Sequence, residues 1–114
     1  MATPYFNVAI TGSASGATQV RGVACNVEGY HLYNANASGA FLQFFDGPSG
    51  TPPVVGTTVP KWSVEMGPTG PALSPFMVTG IHFEGGLWIA ATTTATGATG
   101  PTTAITVNLA LAGS

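Results

Sequence analysis

The sequence predicts an all-β domain, an antiparallel β-sandwich or jelly roll of about eight short strands. Three observations carry this. Apolar residues recur with period two, which puts alternate side chains on opposite faces of a strand. Turn formers punctuate the whole chain, with 16 Gly and 9 Pro among 114 residues. Between them no window has the composition for a helix of ordinary length.

The first alternating run sets Phe6, Val8 and Ile10 against Asn7, Ala9 and Thr11. Residues 1–15 allow two arrangements, an N-terminal arm or a first strand, and residues 16–114 form a single sandwich domain. As an arm, the segment lays Tyr5 and Phe6 on a neighbouring subunit as an added edge strand. From Thr18 to Glu28, Val20 is out of phase with Val23, Cys25 and Val27, and Gly22 at the phase break predicts a β-bulge. Tyr30–Tyr33 reads as a further strand. Phe41–Phe45 is apolar on both faces, so one face meets the core and the other meets another element or another subunit.

Further along, Trp62, Val64 and Met66 alternate with Lys61, Ser63 and Glu65. Phe76–Thr79, then Ile81 and Phe83, then Leu87–Thr93 read as strands. The last run sets Ile105, Val107, Leu109 and Leu111 against Ala104, Thr106, Asn108 and Ala110. Gly supplies positive φ and Pro presets φ, so residues 11–16, 46–50, 67–71 and 85–86 are expected as loops. The Thr-rich stretch 92–103 is expected as a long exposed hairpin loop.

Composition narrows the partners. The apolar share, 45%, is ordinary, but only 5% of residues are charged, against about 25% in soluble domains. Arg21, Lys61, Glu28, Asp46, Glu65 and Glu84 are the whole set, for a net charge of −2. So few charges repel like molecules weakly and favour association. A homo-oligomer is therefore expected, with a trimer as the favoured closed form.

Two basic side chains cannot displace enough counterions to bind nucleic acid or dock on an anionic membrane. No apolar run reaches the roughly 18 residues of a membrane helix. The start, Met1-Ala2-Thr3-Pro4-Tyr5-Phe6, lacks a basic region and a long apolar stretch, so no signal peptide is expected. A soluble protein made in a cytoplasm follows. Cys25 is alone and reads as a small buried apolar residue.

No motif offers chemistry. No two glycines stand two apart, which excludes a G-x-G-x-x-G fingerprint. The only lysine, Lys61, lies between Pro60 and Trp62 rather than in a phosphate loop. Gly12-Ser13-Ala14-Ser15-Gly16 has Ala14 where a nucleophile elbow needs its nucleophile. His31 and His82 have no metal-ligand spacing with Cys25. His82 and Glu84 share a strand face and read as solvated. Asn36-Ala37-Ser38 matches a glycosylation triplet, accidental without export. The expectation is no enzyme, no catalytic residue, no metal and no cofactor.

Aromatic residues remain. Trp88 faces opposite to Leu87 and Ile89, and Tyr5 opposite to Phe6 and Val8, which points both outward if those partners mark the core. The alternative is that both faces of the Trp88 strand are buried. Tyr5, Phe6, Phe41, Phe45 and Trp88 are the candidate interface residues.

Gly29-Tyr30-His31-Leu32-Tyr33-Asn34-Ala35-Asn36-Ala37 through Phe41–Asp46 resembles a family of small phage virion structural proteins. So do Val55-Gly56-Thr57-Thr58-Val59-Pro60, the stretch Gly80–Thr93, and the closing Ile105-Thr106-Val107-Asn108-Leu109. The resemblance covers about residues 20–111 and implies a capsid decoration (cement) protein or a related head or tail accessory subunit. Its implied partners are the major capsid protein and copies of itself, its location the virion surface after synthesis in the host bacterial cytoplasm. A carbohydrate- or receptor-binding module of a fibre or spike is the alternative, in which Trp88 and the Thr-rich loop form a glycan platform.

Overall fold

The computed structural model describes the backbone of residues 5–10, 16–69 and 76–113, and the side chains of 16–69 and 80–113. Eight strands run β1 (Tyr5–Ile10), β2 (Thr18–Arg21), β3 (Cys25–Tyr33), β4 (Ala40–Asp46), β5 (Trp62–Met66), β6 (Phe76–Phe83), β7 (Leu87–Thr92) and β8 (Ile105–Gly113). They form two four-stranded sheets, in the orders β1-β8-β3-β6 and β2-β7-β4-β5. Every pairing is antiparallel. The chain changes sheet at each connection except β4–β5. The all-β sandwich expected from the alternating runs is what the chain forms.

The core lies between the sheets because alternation supplies one apolar face per strand. Leu32, Leu42, Phe44, Phe83, Leu87, Ile89, Ile105, Val107 and Leu109 are fully buried there. Burying such side chains contributes about 1.5–3 kcal/mol each before conformational entropy is charged against it. Along one flank four rings link the sheets. Trp62 of β5 lies 5.6 Å from Tyr30 of β3 and 5.0 Å from Phe44 of β4, and Phe44 lies 6.3 Å from Phe83 of β6. Cys25 is buried, and desolvation raises its thiol pKa, as expected of an inert core cysteine.

Three expectations are refined. Gly22 is not a bulge within one strand; it opens the short turn that carries the chain from β2 to β3. The bulges lie on either side, between Gln19 and Arg21 and between Val27 and Gly29. The second bulge joins Cys25–Glu28 and Tyr30–Tyr33 into the single strand β3. Residues 5–10 form the edge strand β1, in unbroken register with β8 from Tyr5↔Ala110 to Ile10↔Ile105.

The third refinement concerns the outward face of the β2-β7-β4-β5 sheet. Phe45, Trp88 and Ala90 form a second buried cluster with Val55, which comes from the β4–β5 loop. Ala98, from the β7–β8 loop, packs against the same cluster. These two loops leave from opposite ends of the sheet and meet over it. The meeting is tight: a Cβ on Gly56, where φ is +90°, would lie 2.7 Å from the Ala98 Cβ. The Thr-rich stretch is therefore no simple exposed hairpin; it doubles back onto its own sheet.

Candidate functional site

Strand alternation sends two groups of loops to opposite ends of the sandwich, since β4 runs from Ala40 at one end to Asp46 at the other. At the first end the β3–β4, β5–β6 and β7–β8 loops converge on Asn34. Its side chain is 1% exposed. The Asn34 amide donates to the carbonyls of Ser38 and Gly67, both at 3.0 Å. Its Oδ1 accepts the Asn36 backbone N–H at 2.9 Å and the Asn36 amide at 2.8 Å. Two donors and two acceptor sites are all an asparagine amide offers, so burial leaves nothing unpaired.

Asn36 extends the knot. Its amide donates to the Thr103 carbonyl at 2.8 Å, while its Oδ1 accepts the Thr103 N–H at 2.7 Å. The Asn36 carbonyl accepts the Thr69 N–H at 2.8 Å and the Thr69 hydroxyl at 3.1 Å. The side chain of the apparent glycosylation triplet is thus committed to tying two loops together, and the Asn36 backbone carbonyl ties in the third. Beside it lies a cleft of about 480 Å³, lined by Ala35–Gly39, Thr93 and Thr99–Thr103. No charged or aromatic side chain lines it. A volume in this range suits a small ligand, and a lining without charged side chains offers no counter-ion to an ionic one.

The opposite end is tied by charge. Asp46 Oδ2 accepts the Glu84 N–H at 2.8 Å, and Oδ1 accepts the Gly85 N–H at 2.9 Å. The Lys61 ammonium lies 3.7 Å from Asp46 Oδ2, 5.2 Å from the centre of the Phe83 ring, and donates to the His82 carbonyl. Burial pushes the Asp46 carboxyl up, but the N–H donors of Gly85 and Glu84 and the Lys61 charge outweigh it and hold it below the ordinary carboxylate range. Gly86 lets three backbones meet. A Cβ there, at φ +145°, would lie 2.6 Å from the carbonyl oxygens of both Arg21 and Gly47.

Apart from Tyr33, which ends β3 beside Asn34, the exposed large apolar residues among the described ones lie on loops that leave this end. Val54 is 60% exposed and Val59 82%. They flank a turn closed by Thr57 N–H and Thr58 N–H donating to the Val54 carbonyl, and by Val54 N–H donating to the Thr58 hydroxyl. Val55 between them is buried and pins the turn to the sheet. Val23 of the β2–β3 turn is also exposed, and that turn touches the start of the β4–β5 loop where Gly22 meets Ser49.

The candidate interface residues are placed as follows. Phe41, Phe45 and Trp88 do face away from the core, but Phe45 is buried and Trp88 is 8% exposed beneath the chain's own loops. The Trp88 indole N–H donates to the Gly47 carbonyl at 3.1 Å, so even its polar edge is used. The two are therefore corrected from surface anchors to a second core. Phe41 is half-buried. Tyr5 and Phe6 lie in the edge strand, and their side chains fall outside the described residues.

Sequence reasoning overlooked Asn34, Gln43 and Asp46. Gln43 lies fully buried on the outward face, where the two hydrogens of its amide are shared among the Thr92 hydroxyl at 2.8 Å, the Gly97 carbonyl at 3.0 Å and the Thr94 carbonyl at 3.3 Å. It ties the Thr-rich loop to β4, while its Oε1 is buried without a partner. The signal was a lone amide inside Phe41-Leu42-Gln43-Phe44-Phe45. His82 is exposed, with Nδ1 2.7 Å from Asn26 Oδ1. Among the described residues no group of three or more His, Cys, Asp or Glu side chains could hold a metal ion.

No protein-family model, curated protein or solved structure matches the chain.

Proposed function

We propose that this protein is a virion structural subunit, a decoration protein that binds across capsomer boundaries on a bacteriophage head and stabilises the shell. The observation carrying the reading is the strand order, 1-8-3-6 in one sheet and 2-7-4-5 in the other, which we read as an eight-stranded jelly roll. That architecture recurs in viral capsid and lectin domains. Fold alone does not assign function. The sparse charge and the pinned, valine-bearing turns at the Asp46 end support the same reading. Val23, Val54 and Val59 offer apolar contact on loops already ordered, so docking loses little loop entropy. The shell's major capsid protein is the partner, and many weak contacts on one lattice add through avidity.

Reconstitution with empty shells of the cognate phage tests this. Saturable binding is expected, and replacing Val54 and Val59 by Ser should weaken it. A protein that does not bind mature shells at any concentration would remove the proposal.

The second reading, a glycan- or receptor-binding module, draws on the neutral cleft beside Asn36 rather than on Trp88. A glycan array separates the two: a decoration protein leaves the array blank, whereas a lectin gives hits that bulky substitutions at Ala37 or Thr102 in the cleft lining abolish.

A further inference from the structure

The four edge strands of the sandwich differ in how they are protected. An open edge presents unpaired N–H and C=O groups to any extended chain, and proteins blunt it with charge, brevity or bulges. β2 has four residues, a register break and Arg21 at its end. β5 carries Glu65 and follows Pro60 and Lys61. β6 breaks register, since residues 77–80 lie between Ile81, opposite Val27, and Phe76, opposite Gly29.

β1 has none of these devices within the strand, although Pro4 directly precedes it. Its six residues, Tyr-Phe-Asn-Val-Ala-Ile, hold continuous register with β8 and include no charge, Gly or Pro. β8 beside it, Ile105–Gly113, is also uncharged. Among the described residues β8 is the only strand that pairs with β1.

We infer that the free edge of β1 pairs with β1 of a second copy, antiparallel about a twofold axis, to make one eight-stranded sheet across two subunits. An antiparallel edge is complementary to itself under twofold rotation, because each strand offers the other the same alternation of donors and acceptors. With no charge on β1 or β8, two identical edges approach without setting like charges opposite each other, so a second copy fits this edge without repulsion. Pairing through β1 gives even-numbered assemblies in place of the trimer expected from composition. The inference rests on the reading of this chain as an assembly subunit, and supplies the contact between copies.

Sedimentation velocity of the full chain across the micromolar range tests it, with no shell present. The wild-type protein should form a dimer. Asn7→Lys and Ala9→Lys, which place a charge in each strand of the seam, should each raise the dimer dissociation constant more than about tenfold. Val59→Lys, the same charge on a distant exposed turn, should leave it unchanged. Far-UV circular dichroism checks that each variant is folded. If a β1 variant does not fold, hydrogen exchange on the wild type decides. Alternate amides of residues 5–10 should be protected at high concentration and exchange on dilution. A wild-type monomer or trimer, an effect of Val59→Lys equal to that of Asn7→Lys, or concentration-independent exchange in β1 would each overturn the inference. Shell binding measured separately on a folded Asn7→Lys monomer keeps the two readings apart, since either can fail while the other holds.

Discussion

At one end of the sandwich three loops are held by Asn34 and Asn36, and at the other three are held around Asp46. The tasks are alike: each knot satisfies backbone groups that would otherwise lose water without gaining a partner. The chemistry differs. The Asn34 knot is buried, neutral and saturated by four hydrogen bonds. The Asp46 knot is partly exposed, charged and reinforced by a single ion pair with Lys61. A neutral amide survives burial without a counter-ion, whereas a carboxylate stays charged only with donors and solvent nearby. In a chain with six charged residues, two of them are spent on one knot, at the end that also exposes Val54 and Val59.

The largest expected effect falls on the neutral knot. Asn34→Ala leaves the Asn36 N–H and the Ser38 and Gly67 carbonyls short of a partner, at a cost of about 3–4 kcal/mol. Chemical denaturation should show it, and the loss should be the same at pH 7 and pH 4. Gly86→Ala comes next, at about 2–4 kcal/mol, because the new methyl meets two carbonyl oxygens and the backbone sits where L-residues strain. A variant as stable as wild type would mean that the β2–β3, β4–β5 and β6–β7 loops do not meet as closely as described.

Asp46→Ala should cost about 1–3 kcal/mol at neutral pH, through two lost charge-assisted bonds discounted for exposure. Here acid matters. The Asp46 pKa is lower in the folded chain than in the unfolded one, so its contribution is complete above the unfolded value of about 3.9 and fades as pH falls through the folded value. Wild type and Asp46→Ala should therefore converge in melting temperature in strong acid. A constant gap down to low pH would show that the carboxylate charge is irrelevant there.

The smallest effect is expected at Gln43, a neutral amide like Asn34 but an unsaturated one. Gln43→Leu loses the bonds to the Thr-rich loop yet also removes a buried, unpartnered oxygen, so the net change should stay below about 1 kcal/mol. Hydrogen exchange should still report it, with faster exchange at the Thr93 amide, which donates to Thr99 within that loop. Comparing Asn34→Ala with Gln43→Leu thus separates a saturated amide from an unsaturated one in the same protein.

Period-two alternation in runs such as Trp62–Met66 and Ile105–Leu111 was enough to place strands and core faces. Strand geometry is local, and each side chain's face follows from its parity. The same parity set Trp88 opposite Leu87 and Ile89, and it does face away from the core, while for Phe41–Phe45 it left open which face turns inward. Parity could not say what covers the outward side chains. That depends on Val55 and Ala98 returning over the sheet from loops at opposite ends, and loops of Thr, Gly and Ala carry no period. The knots were equally illegible: Asn34 finds Gly67 at a separation of 33 residues, and Asp46 finds Gly85 at 39.

The sequence by itself determined the all-β class, the positions of most strands, the inward-facing residues and the scarcity of charge. Only the tertiary structure decided the strand order, the second buried cluster around Trp88, the two knots, and which strands lie at the sheet edges. The division has one physical cause. Backbone sterics and side-chain parity act between neighbours in the chain, while covering a face or satisfying a buried amide takes groups that only folding brings together.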